Sequence, residues 1–353
     1  RPPRSTLSSS SAASDVYKRQ QNTYLSKFRN TLKLNHLDAY IQPRSDMFGG
    51  EEVPDYDARL KLLSGFTGSA GIAVITLKKA ILFTDGRYTL QARMQLNKSW
   101  EIHPLHSNNW IDWVTDHLSA GQNIGFDPWL VTASTFQKLS EQVKIKDIAI
   151  KLDKKNLVDQ VWINRPKITQ KEPVRWKDNY FAVNAKNKVN DLLAEMQLRD
   201  LDALIITQPN QVCWLLNIRG NNLKYTPFFL GFLVVEKNGD LNIFSQCDIK
   251  YIKDNLRNHL FYKLEQYLSK FKNKNVAINN KNSPSIIYNK LKNISPKVEN
   301  SFSFLQEKAT IKHKKKMLFA VKWDKKYLPV VETGLVDLFK KEMEYYKNYL
   351  SPE

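Results

Sequence analysis

The sequence predicts an α/β protein made of two tandem copies of one unit, each a mixed sheet flanked by helices, with a partial helical segment at the C-terminal end. Three repeated features predict this fold class. An amphipathic helix pattern and then a strand that stops at a proline occur at 25–43 and again at 189–209. A glycine corner and two runs of β-type residues follow in both copies. A further strand and helix end each copy, at 123–139 and at 275–291.

The first copy opens with a predicted helix in which Leu25, Phe28 and Leu32 share one face. Leu37–Ile41 follows as a predicted strand, because it is short and apolar. Pro43 ends this strand, since proline has no N–H to donate to a sheet. We therefore expect the helix to pack on the sheet that begins with this strand.

The most informative stretch runs from Lys61 to Leu96. Its first part favours a tight turn, because glycine reaches backbone angles that other residues avoid, and it has three glycines: Gly65, Gly68 and Gly71. Two predicted buried strands follow, Ile72–Leu77 and Ala80–Thr84, and the second meets a helical pattern at Asp85-Gly86-Arg87-Tyr88. The glycine spacing differs from that of the dinucleotide fingerprint, and the lysine of a phosphate loop is missing.

The remainder of the first copy is predicted from apolar spacing and capping residues. Trp110, Trp113 and Val114 mark an amphipathic helix, which we interpret as core packing. Asn123–Asp127 is a short predicted strand. Ser134 is the predicted N-cap of the next helix, because its hydroxyl can accept a hydrogen bond from a free N–H group of the first turn.

The second copy repeats these elements and adds a hairpin. Its strands Phe232–Val235 and Leu241–Phe244 are joined around Asn238-Gly239, which favours a tight two-residue turn. Asp248 and Tyr251 then stand three residues apart, with the spacing of the aspartate and tyrosine in the first corner. The repetition alone therefore predicts a duplicated domain.

Composition limits the class of protein and of partner. The formal net charge of +19 raises the alternative of a basic nucleic-acid binder, but lysines are spread along the chain and no nucleic-acid motif occurs. Cys213 and Cys247 are too few for a disulfide scaffold and belong to no C-x-x-C pair. The longest apolar run, Pro227–Val235, is far below the roughly 20 residues of a membrane span, so no membrane partner is expected.

Several segments carry a resemblance to a known family. In the first copy they are Ala39–Asp46, Ser64–Gly71 and Thr84–Tyr88, and in the second Trp214–Asn222 followed by Thr226-Pro227. Their residues and order resemble the N-terminal domains of the aminopeptidase P, creatinase and prolidase family. The match is nearest to Xaa-Pro aminopeptidases of the bacterial cytoplasmic type.

The resemblance implies a fold and a function. Long, three-domain Xaa-Pro aminopeptidases carry two creatinase/prolidase N-terminal-type domains before the catalytic one, in agreement with the duplication. The complete enzymes release the first residue of peptides whose second residue is proline. A proline-containing peptide substrate, a homodimer and a cytoplasmic location are therefore expected for the full-length protein.

The resemblance also assigns candidate site residues. In the family, the arginine of Asp-Gly-Arg-Tyr reaches toward the substrate, which makes Arg87 the first candidate for substrate binding. An ion pair with Asp85 is the structural alternative. Arg219 is a weaker candidate, and a buried arginine that holds its loop is the alternative. Asn222 stands where the family usually has aspartate, so a charge is missing there.

Family catalysis uses two divalent metal ions, usually manganese, which two aspartates, one histidine and two glutamates of a C-terminal catalytic domain bind. Two metal ions that bind one water molecule ionise it at neutral pH. None of those motifs is recognisable in this sequence, so no catalytic, metal or cofactor-binding residue is assigned. The histidines are interpreted as surface or packing residues: His36, His103, His106, His117, His259 and His313.

Boundaries complete the prediction. Residues 1–20 look like a non-native or disordered leader, 21–162 and 175–300 are the two domains, and the polar stretch 164–174 is a linker. Residues 301–353 are interpreted as a truncated or frameshifted start of the catalytic domain. The chain is thus predicted to be an inactive N-terminal portion of the peptidase, with a free-standing binding or assembly module as the alternative.

Overall fold

The computed structural model of the chain describes residues 7–106, 109–152, 155–175, 183–249 and 255–300. The predicted tail segment, Tyr251 and His313 lie outside these ranges. Helices and strands alternate through the described chain, which confirms the α/β class. No helix in those ranges has both the length and the apolar character that crossing a membrane demands.

The first domain is a mixed sheet with helices on both faces. Its helices are α1 Leu7–Leu34, α2 Arg59–Ser64, α3 Thr89–Gln95, α4 Asn109–His117, α5 Ala133–Ile145 and α6 Val158–Val161. Its strands are β1 Ala39–Pro43, β2 Ile72–Thr76, β3 Ala80–Thr84, β4 Glu101–Pro104, β5 Asn123–Phe126 and β6 Ala149–Leu152. The strand order is β4-β3-β2-β1-β5-β6. β2 is antiparallel to β1 and β3, and the other neighbouring pairs are parallel.

Alternating side chains of the sheet build two cores. Tyr40 points into the core shared with α1, where its ring meets that of Phe28 edge-on at 5.3 Å. Its neighbour Ile41 lies in the opposite core with Trp110 of α4 and Phe126 of β5. The predicted apolar face of α1 is confirmed, since Leu25, Phe28 and Leu32 are all buried.

The second domain includes a short two-stranded ribbon, in which β7 Val174–Arg175 pairs with β9 Ile218–Arg219. Its helices are α7 Ala185–Leu198, α8 Pro209–Leu216, α9 Leu264–Leu268 and α10 Ser285–Ile294. Its strands are β8 Ala203–Ile206, β10 Gly231–Glu236, β11 Leu241–Ser245, β12 Leu256–Leu260, β13 Asn275–Ile278 and β14 Lys297–Asn300. They form a sheet in the order β12-β11-β10-β8-β13-β14.

The two sheets have the same topology. β10 is antiparallel to β8 and β11, and the remaining pairs are parallel, as in the first domain. A shared detail ties the first and fifth strands of each copy together. The Asp38 carboxylate accepts from the Asn123 N–H at 2.8 Å, and Asp202 accepts from Asn275 in the same way at 2.8 Å. The predicted duplication is therefore confirmed by strand order and by side-chain contacts.

Helix α1 is described from Leu7, and the predicted domain boundaries stay predictions. Two local predictions are corrected. Thr132, not Ser134, caps α5: its hydroxyl accepts from the Thr135 N–H at 3.3 Å, because the helix begins at Ala133, two residues earlier than a Ser134 cap requires. Whether residues 1–20 are native stays a prediction.

The hairpin in the second domain also differs from its prediction. The loop has three residues, Lys237 to Gly239, and only the glycine has positive φ, at 87°. The Gly239 N–H donates to the Glu236 carbonyl at 2.9 Å, and the Glu236 N–H donates to Asp240 at 3.0 Å. This is a turn followed by a bulge, which needs one left-handed residue rather than two.

A loop of the first domain inserts into the second. We call residues 46–52 the latch loop. Its Phe48 is 4% exposed and lies in the second domain's core, with its ring 5.2 Å from Phe232 and 6.4 Å from Phe261. Its Glu52 carboxylate accepts from three groups of the other domain: Lys224 N at 2.6 Å, Tyr225 N at 3.0 Å and Thr226 Oγ1 at 2.8 Å. The latch loop therefore joins the domains by both apolar and polar contacts.

Candidate functional site

Arg87 stands at the corner where β3 passes into α3. The Asp85 carboxylate accepts from the Arg87 N–H at 2.9 Å and so caps the 3₁₀ turn Gly86–Tyr88. The same carboxylate accepts from Arg87 Nε at 3.1 Å and from Nη2 at 2.6 Å. These hydrogen bonds lower the pKa of Asp85, so the pair stays charged at neutral pH.

The ion pair orients Arg87 without covering it. The Arg87 side chain is 72% exposed, whereas that of Asp85 is 28% exposed. The guanidinium also lies over the Tyr88 ring at 5.3 Å. Nε and Nη2 are used on Asp85, so the Nη1 edge is the part of the fork that can meet a carboxylate or carbonyl from solvent.

The glycine turn, residues 65–71, packs against this corner. Gly65 ends α2 at φ 80°, a conformation in which a side chain is strained. A Cβ on Gly68 would lie 2.3 Å from the Phe66 ring and 2.9 Å from the Tyr88 ring, so only glycine fits there. Ser69 Oγ and the Tyr88 hydroxyl are 2.6 Å apart. The turn thus fixes Tyr88, whose ring contacts the Arg87 guanidinium.

Arg219 occupies a different setting. It is half-buried at the end of β9, and its Nη1 donates to the Ile218 carbonyl at 2.8 Å and to the Cys213 carbonyl at 3.4 Å. Burial lowers the pKa of Arg219. These contacts favour the structural alternative of an arginine that holds its loop, and they lie in the second domain.

Asn222 binds the linker through both ends of its amide. Oδ1 accepts from the Lys171 N–H at 3.1 Å, and Nδ2 donates to the Thr169 carbonyl at 3.3 Å. An aspartate could make only the first of these hydrogen bonds. The amide therefore has a structural use at a position where the family usually has a carboxylate.

A charged network next to the domain boundary was not predicted. Arg59 donates to Asp57 at 2.8 Å and to both oxygens of Asp159, at 2.8 and 3.0 Å. Arg165 of the linker donates to Asp159 at 2.7 Å, to Asp57 at 3.0 Å and to the Tyr56 carbonyl at 2.7 Å. Two arginines and two aspartates thus close a ring that fastens the linker to the first domain.

A cavity of about 470 Å³ lies beside this network, where the two domains meet. Residues of both domains line it, among them Phe48, Trp129, Asn156 and Gln246. Burial raises the pKa of the neighbouring Asp127 carboxyl, although the Trp129 N–H and the Asn156 amide donate to it. Because every carboxylate of the ring is matched by an arginine, the arrangement suits structural support better than chemistry on a substrate.

Removing one member of the ring should loosen the linker. We expect Arg165→Ala to lower the free energy of unfolding by about 1–3 kcal/mol, because Asp57 and Asp159 each lose a donor. Urea unfolding measures this loss of stability. We also expect trypsin to cut the linker of Arg165→Ala faster than that of the wild type. Lys167→Ala, an exposed change on the same linker, should cost less than about 0.5 kcal/mol. Equal effects of the two variants would contradict a role for the ring.

The histidines of the described chain serve packing or the surface. His117 stacks on Trp113 with ring centroids 4.0 Å apart, and His259 stacks on Phe244 at 4.9 Å. His103 lies against the Phe83 ring, while His36 and His106 are exposed. In the ranges that the structure covers, no three His, Cys, Asp or Glu side chains come together as a metal site would require.

Comparison with known proteins decides the family. A family model described as the creatinase/prolidase N-terminal domain matches residues 25–155, and a second with the same description matches residues 164–320. The chain belongs to the creatinase/prolidase N-terminal domain family. Both matched domains have the strand order described above. Arg87 lies in the first domain and Arg219 in the second.

Relatives of these creatinase/prolidase domains are longer proteins. A probable Xaa-Pro aminopeptidase P of Botryotinia fuckeliana is 36% identical over 236 residues, which is 65% of this chain and 36% of the relative. One of Laccaria bicolor is 36% identical over 215 residues, 60% of this chain and 34% of the relative. The matched part of the chain therefore spans about a third of the length of these curated relatives.

A solved structure agrees with the tandem arrangement. The X-prolyl aminopeptidase from Caenorhabditis elegans, described as a cytosolic enzyme with a di-nuclear active site, superposes with a TM-score of 0.73 at 27% identity. The match covers 81% of this chain and 50% of that one. The two creatinase/prolidase domains are thus arranged as in a longer aminopeptidase.

Proposed function

We propose that this chain is the N-terminal, non-catalytic portion of a metal-dependent Xaa-Pro aminopeptidase, and that it is inactive alone. The observation that carries the proposal is the match of both domains together to half of the C. elegans enzyme. The function proposed for the complete protein is release of the N-terminal residue from peptides with proline second. A cytoplasmic location and a homodimer are proposed with it.

The proposal assigns metal chemistry to residues other than those described. A di-nuclear centre needs several carboxylate and imidazole ligands converging on one point. The described histidines stack on rings or face solvent, and the described Asp–Arg ring is internally paired, so these side chains do not fit such a centre. The two divalent ions, manganese in this proposal, are therefore placed in the remainder of the full-length enzyme.

Within this proposal, Arg87 binds the substrate peptide, and Asp85 positions the Arg87 side chain. Asp85 fixes the plane of the guanidinium through two of its nitrogens, which leaves the Nη1 edge for a peptide carbonyl or carboxylate. Arg219 has a lesser part, because its Nη1 is directed to backbone carbonyls of its own loop.

The purified chain tests inactivity directly. Incubated with manganese and an Xaa-Pro peptide, it should release no free amino acid above the blank, with the C. elegans enzyme as the positive control. Release at a rate proportional to chain concentration would refute the proposal. The free-standing module is the alternative that inactivity by itself leaves in place.

A chimera separates the two alternatives and tests Arg87. Residues 21–300 replace the matched half of the C. elegans enzyme. We expect an active chimera in which Arg87→Ala raises KM roughly tenfold, as expected when one charge-assisted hydrogen bond is lost. Arg93→Ala, a change of an exposed arginine on the helix α3 that follows this corner, is the matched control and should leave KM unchanged. A folded but inactive chimera would favour the module, and equal KM values for both variants would remove Arg87 from the substrate site.

A further inference from the structure

The two domains meet through the same turn. In the first domain this turn joins β5 to α5, and in the second its counterpart joins β13 to α10. The same number of residues separates strand end from helix start in both, so Val131 corresponds to Ser283 and Ala133 corresponds to Ser285. Thr132 corresponds to Pro284, and these two residues face each other in an antiparallel bridge.

The hydrogen bonds around that bridge are reciprocal. The Ala133 N–H donates to the Ser283 carbonyl at 2.9 Å, and the Ser285 N–H donates to the Val131 carbonyl at 2.8 Å. Exchanging the two domains converts each of these hydrogen bonds into the other. Thr132 and Pro284 therefore lie next to a local two-fold axis.

A second pair of hydrogen bonds obeys the same exchange. The Ser134 N–H donates to the Asn280 carbonyl at 2.9 Å, and the Ile286 N–H donates to the Pro128 carbonyl at 3.3 Å. An interface in which each contact has a symmetry mate is isologous, the type that joins identical subunits in two-fold dimers. Here it joins two domains of one chain.

Backbone atoms make the reciprocal contacts, and the side chains differ. Ser285 Oγ also donates to the Pro128 carbonyl at 3.0 Å, a hydrogen bond that the corresponding Ala133 cannot return. Val, Thr and Ala in the first turn correspond to Ser, Pro and Ser in the second, yet all four N–H groups reach their carbonyls. Ala133, Ser283 and Ser285 are fully buried. The four reciprocal hydrogen bonds therefore come from the backbone path, which the first domain could equally offer to a copy of itself.

We propose that the turn 127–134 is a self-complementary docking surface whose partner, when the second domain is displaced, is the same turn in another copy of this chain. In that pair, Ala133 N–H groups donate to Val131 carbonyls in both directions, and the two Thr132 residues face each other. The tandem arrangement masks this surface, because the linker keeps the second domain at high local concentration. The proposal is independent of the peptidase assignment.

The experiment frees the first turn in the full chain and reads pairing at Thr132. A background of Phe48→Ser and Cys247→Ser removes the aromatic ring of the latch loop and the more accessible thiol. Ser285→Trp then blocks the second domain's turn, and Thr132→Cys reports contact by disulfide formation. A parallel set uses Ser285→Pro, which removes the N–H donor and keeps the helix start, since Pro284 at φ −54° and ψ 138° tolerates a following proline.

We expect disulfide-linked dimers with doubled mass when Thr132→Cys is combined with either change at position 285. Adding Ala133→Trp should abolish them, because it blocks the first turn at the corresponding place. The background with Thr132→Cys alone should give at least tenfold less dimer. No cross-link from either set when circular dichroism shows folded chains would overturn the proposal, as would cross-linking that survives Ala133→Trp.

Discussion

Phe48→Ala is expected to lower the free energy of unfolding of the second domain by about 3–5 kcal/mol, although the residue belongs to the first domain by sequence. The ring is 4% exposed and packs against two phenylalanines of the other domain, so its removal leaves a cavity there. Denaturant unfolding followed by tryptophan fluorescence and by hydrogen exchange of β10 measures the loss and its location.

A matched control separates this effect from a general cost of removing an aromatic ring. Tyr262 is 75% exposed beside the same core, so Tyr262→Ala should change stability by less than about 0.5 kcal/mol. Hydrogen exchange in Phe48→Ala should accelerate in β10 and β11 before β1 and β2. Faster exchange confined to the first domain would contradict the assignment of this ring to the second domain's core.

Asp46→Asn is expected to stabilise the protein at pH 8 and to have little effect at pH 4. Burial and repulsion from Asp57 raise the pKa of Asp46 from 3.8 to about 7, against the hydrogen bonds that the Phe48 and Gly50 N–H groups donate. Its Oδ2 is buried and accepts no hydrogen bond within the described structure. The folded chain therefore keeps a proton that the unfolded chain releases.

The sign follows from that difference. Between pH 4 and 7 the folded state binds more protons, so this group makes stability fall as pH rises, and the loss is complete above pH 7. A rise of about three pKa units corresponds to a cost on the order of 4 kcal/mol at pH 8. Asparagine removes the charge and keeps the oxygen that accepts from Phe48 and Gly50.

Melting temperatures of wild type and Asp46→Asn from pH 4 to pH 8 measure the effect. Asp202→Asn is a control with the opposite sign. Burial by itself would raise the pKa of Asp202, but hydrogen bonds from Lys237 and from the Asn275 N–H lower it. This variant should lose stability above pH 4. A stability difference for Asp46→Asn that does not change with pH would contradict a titrating Asp46.

The helices and strands that define each domain were predictable because apolar spacing is a local property of sequence. Leu25, Phe28 and Leu32 are buried as their spacing predicted, and the hairpin failed only in its turn type. The glycine turn and the arginine corner were recognisable from consecutive residues. What the pattern could not give was the exposure of Arg87, which follows from how Asp85 holds it.

Contacts between distant residues escaped prediction. The pairing of Asp57 with Arg165 joins residues more than 100 positions apart, and no periodicity links them. The same holds for Phe48, whose phenylalanine neighbours lie in the other domain. Asn222 could be noticed as a departure from the family, but its two linker hydrogen bonds depend on the folded path of the chain.

The position of Phe48 has a consequence for biosynthesis. The ribosome completes the first sheet and its helices before β10 and β12 exist, so the nascent chain carries the Phe48 ring without its neighbours Phe232 and Phe261. Until translation passes the Phe261 codon, the growing polypeptide exposes the apolar Phe48 side chain to chaperones and to neighbouring nascent chains. Slow synthesis of the second half would lengthen that vulnerable interval.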